Sequence, residues 1–293
     1  MSGPEFDAKA QVAEPLGVQA AKTGRSGGAR QMGVRRFGRV NWLGTATLAR
    51  REIARFLAVW QQTLLAPLMT AALFLTVFAL AFGGADRAAV MGVPYLNFIG
   101  PGILMMTVIQ NAFANTSSSI VIAKVQGNIV DTLMPPLSAS EILLGYLAGA
   151  LARSLMVAVV IGLVMGVALG QGIAHPLWAL CFVALGAILL GGLGILAAIW
   201  ANKFDQMAAI TNFIVTPLSF LSGTFYSAEV LPPFFHTLTH WNPVFYLIDG
   251  ARYGILGVSD ADPVRGLFVC SGVTFAVLAL AWSWLKSGFR MKP

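Results

Sequence analysis

Three groups of residues have the type and spacing to do chemistry. His236 and His240 stand four apart, which puts two imidazoles on one helical face where they could hold a metal. No Glu completes an H-E-x-x-H setting, and prolines and aromatics surround the pair, so interfacial packing is the better reading. The second group is a polar run inside an apolar stretch: Gln110, Asn111, Asn115, Thr116, Ser117, Ser118 and Ser119. Amides and hydroxyls in hydrocarbon need partners, so they either line a translocation route or bond neighbouring helices. The third is a lone cation, Arg153, within an apolar run. At the bilayer centre it would cost about 2.5–3.5 kcal/mol, whereas its long stem could snorkel to a membrane face. What is missing also excludes. The chain has no Gly-Lys dipeptide, hence no G-x-x-x-x-G-K-[ST] phosphate loop, and Cys181 and Cys270 sit in separate apolar runs, which rules out a disulfide framework and a Cys-based zinc motif. No intramembrane carboxylate is evident, which counts against an ion-coupled secondary transporter, and no catalytic constellation marks an intramembrane enzyme.

The elements that must position these groups are apolar helices. Of 293 residues, 57% are hydrophobic and 11% charged, where a soluble domain carries about 25% charge. The expectation is an all-α integral membrane protein. Charge-free stretches run over 56–85, 88–123, 154–202, 206–228 and 266–285. A membrane helix needs about 20 residues, and 154–202 as one helix would reach about 74 Å. Gly170-Gln171-Gly172 and His175-Pro176 break it into two. Six spans follow, over about 61–82, 95–122, 142–169, 177–200, 208–226 and 267–286. The stretch 230–248 carries Pro232, Pro233, Asn242 and Pro243 and is too broken to face lipid as a helix. It reads as a re-entrant external hairpin between spans 5 and 6.

The net charge of +7 is distributed by membrane side rather than on one nucleic-acid-binding face. With both termini cytoplasmic, that side collects Arg50, Arg51, Arg55, Lys124, Arg153, Lys203, Lys286, Arg290 and Lys292, against Arg87, Arg252 and Arg265 outside. Residues 1–40 read as a disordered cytoplasmic tail whose arginines can meet anionic lipid. Residues 42–60 read as an interfacial helix, with Trp42, Ala46, Ala49, Ile53, Phe56 and Trp60 as its apolar stripe and Arg50, Arg51, Glu52 and Arg55 largely off it. Gly145 and Gly149, then Gly162, Gly166 and Gly170, form small-xxx-small ladders suited to close helix contact. Between spans 2 and 3, the loop 123–141 reads as a short amphipathic helix, broken at Pro135-Pro136. Ser138 and Glu141 have capping-box spacing for the next helix. Exposed Ile129, Leu133 and Met134 would need a cover.

Taken together, these features resemble the permeases of ABC-2-type transporters. The resemblance covers about residues 40–290 and rests most on 220–252, with Leu221-Ser222-Gly223, Leu231-Pro232, Asn242-Pro243 and Asp249 to Arg252 at matching places, and on Pro136-Leu137-Ser138. It implies a half-transporter without catalytic residues or a nucleotide site. Two copies would form the pore in a bacterial inner membrane. Two copies of a separate ATPase, carrying ATP and Mg, would drive export of a hydrophobic drug, lipid or lipid-linked glycan. It also implies that Asn128, Ile129, Asp131, Leu133, Met134 and Pro135 form the ATPase-coupling loop. Asn111, Asn115, Ser118, Ser222 and Thr224 are the residues expected on the translocation path. Pro232, Pro233, Asn242, Pro243, Asp249 and Arg252 shape the external hairpin, with Asp249 and Arg252 paired.

Overall fold

In a computed structural model of the chain, residues 40–82 and 89–290 are described. The expected tail, up to residue 39, and the charges Arg87 and Lys292 lie outside the described residues. Among those described, the secondary structure is helical apart from one bridge between Val90 and Val93.

The first helix, α1 (Trp42–Ala58), starts from Asn41, whose side chain accepts from the Gly44 amide. A π turn, Gln61–Leu65, leads into α2 (Ala66–Phe82). Then come α3 (Tyr95–Val125), the single-turn α4 (Ile129–Leu133) and α5 (Ala139–Leu169). The capping box on α5 forms as its spacing dictates: Ser138 Oγ accepts from the Glu141 amide, and Glu141 Oε2 accepts from the Ser138 amide. The helix stops at Gly170, which takes a left-handed φ of 63° that only glycine adopts freely. Next is α6 (Pro176–Trp200), opened by Pro176. A helical run follows, made of α7 (Phe204–Ile210), a π turn (Thr211–Val215) and α8 (Thr216–Leu221). Finally come α9 (Pro233–Trp241), α10 (Pro243–Leu256) and α11 (Pro263–Ser287).

Among the described residues, five helices are long and apolar enough to cross a membrane: Gln61–Ala81, Tyr95–Val125, Ala139–Leu169, Pro176–Trp200 and Pro263–Ser287. They match expected spans 1, 2, 3, 4 and 6. The expected fifth, 208–226, is a shorter run interrupted by the π turn and carrying Asp205, Gln206 and Asn212. It is not among the five.

α3 is the most enclosed of the five and the π-turn–α2 span the least. α3 packs most extensively on α6 and then on α5. The close approach to α6 depends on glycine: Thr116 Oγ1 donates to the Gly191 carbonyl at 2.8 Å, and a methyl group on Gly194 would strike Thr116 and the Phe113 carbonyl. Of the two expected ladders, Gly145 and Gly149 are in intimate contact, but with α1: added Cβ atoms would lie 2.6 Å from Leu48 Cδ2 and 2.5 Å from Glu52 Cβ. Gly162 is no closer than 3.6 Å to a neighbour and Gly170 meets nothing, so that ladder mediates no tight contact within the chain.

Hydrogen bonds fix which helix ends lie together. Lys124 Nζ donates to the carbonyls of Ala198, Ile199 and Ala201, joining the ends of α3 and α6. Arg290 donates to the Trp200 carbonyl, bringing in the end of α11. At the same end of the bundle, the Asn41 amide donates to Glu141 at 2.6 Å, tying the starts of α1 and α5. At the opposite end Gln171 donates to the Asn97 carbonyl and Tyr95 to the Phe225 carbonyl. The run 204–221 therefore starts beside the first end and finishes beside the second.

Candidate functional site

The protein-facing side of α1 includes a carboxylate. Thr45, Leu48, Glu52 and Phe56 are buried against α5 and α3, whereas Trp42, Ala46 and Trp60 of the expected apolar stripe stay uncovered by protein. Glu52 is fully buried. It accepts from Ser119 at 2.7 Å and pairs with Arg51 at 3.3 Å and Arg55 at 3.0 Å. Both arginines continue outward. Arg51 donates to Thr132 of α4 at 3.1 Å, and Arg55 donates to the Asn115 carbonyl at 2.8 Å and to Ser118 at 3.4 Å.

Arg55 and Ser118 of this network line a cavity of about 800 Å³ between the α1–α2 connection, α3 and α5. Arg55, Gln110, Asn111, Ser118 and Arg153 supply polar lining, and Val59, Ala66, Pro67 and Met106 supply apolar lining. Arg153 lies well along α5, where Nε and an Nη both donate to Asn111 Oδ1, at 3.1 and 2.8 Å. It sits one turn beyond Gly149, just past the level where α1 crosses α5. The polar run of span 2 thus divides. Asn111 and Ser118 face the cavity, Asn115 is buried behind it against Arg55, and Thr116 bonds α6. Lining a cavity and bonding a neighbouring helix thus fall to different residues.

Ser222 and Thr224 do not join this group. Both are buried at the opposite end of the bundle and donate to carbonyls of their own segment, those of Leu218 and Ser219. There Asn242 Nδ2 donates to Ser222 Oγ at 2.8 Å and caps α10 through the Val244 amide. The path residues expected from sequence are two separate sets, and this pair belongs to a structural lock.

The centre of that lock is Arg252. Fully buried, it donates to the Gly223 carbonyl at 2.6 Å, pairs with Asp249 at 3.4 Å and places its guanidinium 4.0 Å from the Phe98 ring centroid. Asp249 also accepts from the amides of Asp260 and Ala261, both at 2.9 Å. Pro232 precedes α9, while Pro233 and Pro243 open α9 and α10, positions where a missing N–H costs nothing. The two ends of this segment meet, since Ser227 donates to Asp260, while Pro243 reaches Cys270, roughly two turns along α11. His236 and His240 meet with their rings tilted by 35°, His236 exposed and His240 half-buried against Phe245 and Tyr246.

In the loop between α3 and α5, Asn128, Asp131, Leu133, Met134 and Pro135 are exposed. Ile129 is not: it is 1% exposed and belongs to the chain's own core. The expectation that Ile129 docks a partner is corrected. With only one turn of helix, α4 turns Ile129 and Thr132 inward and leaves Val130, Asp131, Leu133 and Met134 outward.

The ABC-2 type transporter family profile matches residues 44–256, from α1 to the end of α10. The chain belongs to that family. Among relatives of this ABC-2 permease, the inner membrane transport permease YadH of Escherichia coli K12 is 35% identical over 248 residues, covering 84% of this chain and 96% of YadH. Nodulation protein J of Rhizobium leguminosarum bv. trifolii is 28% identical over 230 residues (77% and 85%), and that of Sinorhizobium fredii NGR234 is 26% identical over 183 residues (62% and 70%). The ABC-2 permease is accordingly a multi-pass inner-membrane transport subunit.

Sequence reasoning missed the Glu52 network. Its signal was available: Glu52 lies four residues from both Leu48 and Phe56 and is flanked by Arg51 and Arg55.

Proposed function

We propose that this chain is the membrane subunit of an ATP-driven exporter. Two copies form the translocation pathway, and two copies of a separate ATPase, which holds ATP and Mg, drive it. The observation that carries this reading is α4. A short helix between two spans leaves Val130, Asp131, Leu133 and Met134 uncovered, while Arg51 ties its Thr132 to the network behind the cavity. Exposed apolar side chains on a polar loop call for a protein partner. Movement of α4 would pull on Arg51 and, through Glu52, on Arg55 at the cavity wall.

Six spans and cytoplasmic termini belong to the same proposal. The run 204–221 supplies the fifth crossing, and α9–α10 the external hairpin. α10 has 14 residues, about 21 Å, too short to cross about 30 Å of hydrocarbon. Support for the orientation comes from Lys124, Lys203, Lys286 and Arg290 at the α4 end. Arg252, at the other end, is buried and paired. The cargo is a hydrophobic drug, lipid or lipid-linked glycan. Ion coupling is disfavoured because, among the described residues, the buried carboxylates Glu52, Glu141, Asp249 and Asp260 are each engaged by arginines or backbone amides.

Asp131→Lys and Leu133→Glu test the coupling role. Both variants should insert normally but lose the copurifying ATPase or its coupled transport. Wild-type assembly and ATP-driven transport in both would refute the role of α4.

A further inference from the structure

Arg153 is a cation with no counter-ion. Its side chain donates only to Asn111, and among the described residues no carboxylate lies within ion-pair distance of it. Arg55 also lines the cavity, and it shares the single carboxylate of Glu52 with Arg51, which lies behind the lining. Among the described residues, the lining thus carries two guanidinium groups and no carboxylate, and the carboxylate behind it is already shared by two arginines. A partly desolvated guanidinium is costly to keep unpaired, and its planar fork matches the oxygens of a phosphate or carboxylate.

The rest of the lining says what the anion is attached to. Arg55 and Arg153 line the cavity with Asn111 and Ser118, and apolar Val59, Ala66, Pro67 and Met106 lie among the uncharged Gln62, Thr63 and Thr70. The apolar lining comes largely from the approach to and start of span 1, the least enclosed of the five spans. A chamber of about 800 Å³ that combines two cations with apolar lining matches a molecule with one charged head and a hydrocarbon body.

The geometry points to an anion site at Arg153 that takes the phosphate-type headgroup of an amphiphile, with the apolar part lying along span 1. Naming that amphiphile as cargo rests on the exporter reading, but the binding does not. An ATPase that failed to copurify would overturn the exporter and leave the site intact. Failure to bind would do the reverse.

The test uses the full chain in phosphatidylcholine nanodiscs, titrated with short-chain phosphatidic acid, short-chain phosphatidylcholine or inorganic phosphate. Phosphatidic acid should bind saturably and at least about tenfold tighter than either control, one hydrogen-bonded charge pair being worth about that factor. Arg153→Gln should abolish the preference and Arg153→Lys should retain part of it. Asn111→Asp, which places a carboxylate against Arg153 without removing it, should also abolish the preference. This keeps the test decisive if Arg153→Gln does not fold. Equal binding of the two lipids, or a preference unchanged in Asn111→Asp, would overturn the site. Phosphate binding as tightly as phosphatidic acid would overturn the amphiphile and leave a small-anion site.

Discussion

Ser119 on α3 donates a 2.7 Å hydrogen bond to the fully buried carboxylate of Glu52 on α1. That contact pins α1 to the most enclosed of the five long helices, and the two arginines beside Glu52 extend it to α4 and to the cavity.

Glu52→Gln keeps the shape and removes the charge. Arg51 and Arg55 are 46% and 32% exposed, so water compensates part of the loss. The expected cost is roughly 1–3 kcal/mol. Thermal unfolding in detergent should show a clear drop for this variant and none for Ala at the exposed Arg50.

The glycine ladders should differ sharply. Gly149→Val would force α1 off α5, at a cost of about 1–3 kcal/mol or more, because its Cβ meets Glu52 Cβ rather than a flexible tip. Gly162→Ala has room for its methyl group and should be tolerated. Size-exclusion profiles and unfolding midpoints of the two variants check this contrast.

Removing Arg252 strands the buried Asp249 and frees the Gly223 carbonyl. Arg252→Ala should cost about 3–5 kcal/mol, the usual consequence of breaking a buried pair from one side. Lys should rescue poorly, since an ammonium cannot at once reach Gly223, pair with Asp249 and lie flat on Phe98. Yield and unfolding midpoint of the two variants decide it.

Between Ile129 and the α4 C-cap Met134, burial predicts opposite outcomes five residues apart. Ile129→Glu places a charge in the core and should prevent a folded, monodisperse product, whereas Met134→Glu should leave the fold intact and affect only partner capture. Equal folding yields for the two would contradict this placement.

Much of the architecture was legible because charge-free length is a strong physical constraint. The runs that became the five long helices stand out with no knowledge of packing, as does the Ser138–Glu141 cap. The expected fifth span, 208–226, fared differently. Asp205, Gln206 and Asn212 dilute its apolar character, and the run ends at Leu221, short of the expected 226. Facing was hardest to read. On α1, the stripe through Trp42 and Ala46 stays uncovered by protein, while the protein-facing row through Leu48, Glu52 and Phe56 did not stand out in the sequence, because a buried carboxylate is tolerated only with the two arginines and Ser119 around it. Ser222 and Thr224 could not be separated from Asn111 and Ser118 by type, since all four are small polar groups in apolar surroundings. Only tertiary structure shows them at opposite ends.

The most direct test of the central claim is the composition of the complex purified in mild detergent from the native host through a tag on this chain. The account predicts a P-loop ATPase at one-to-one stoichiometry with two copies of the permease. Recovery of the permease alone from several mild detergents would contradict it.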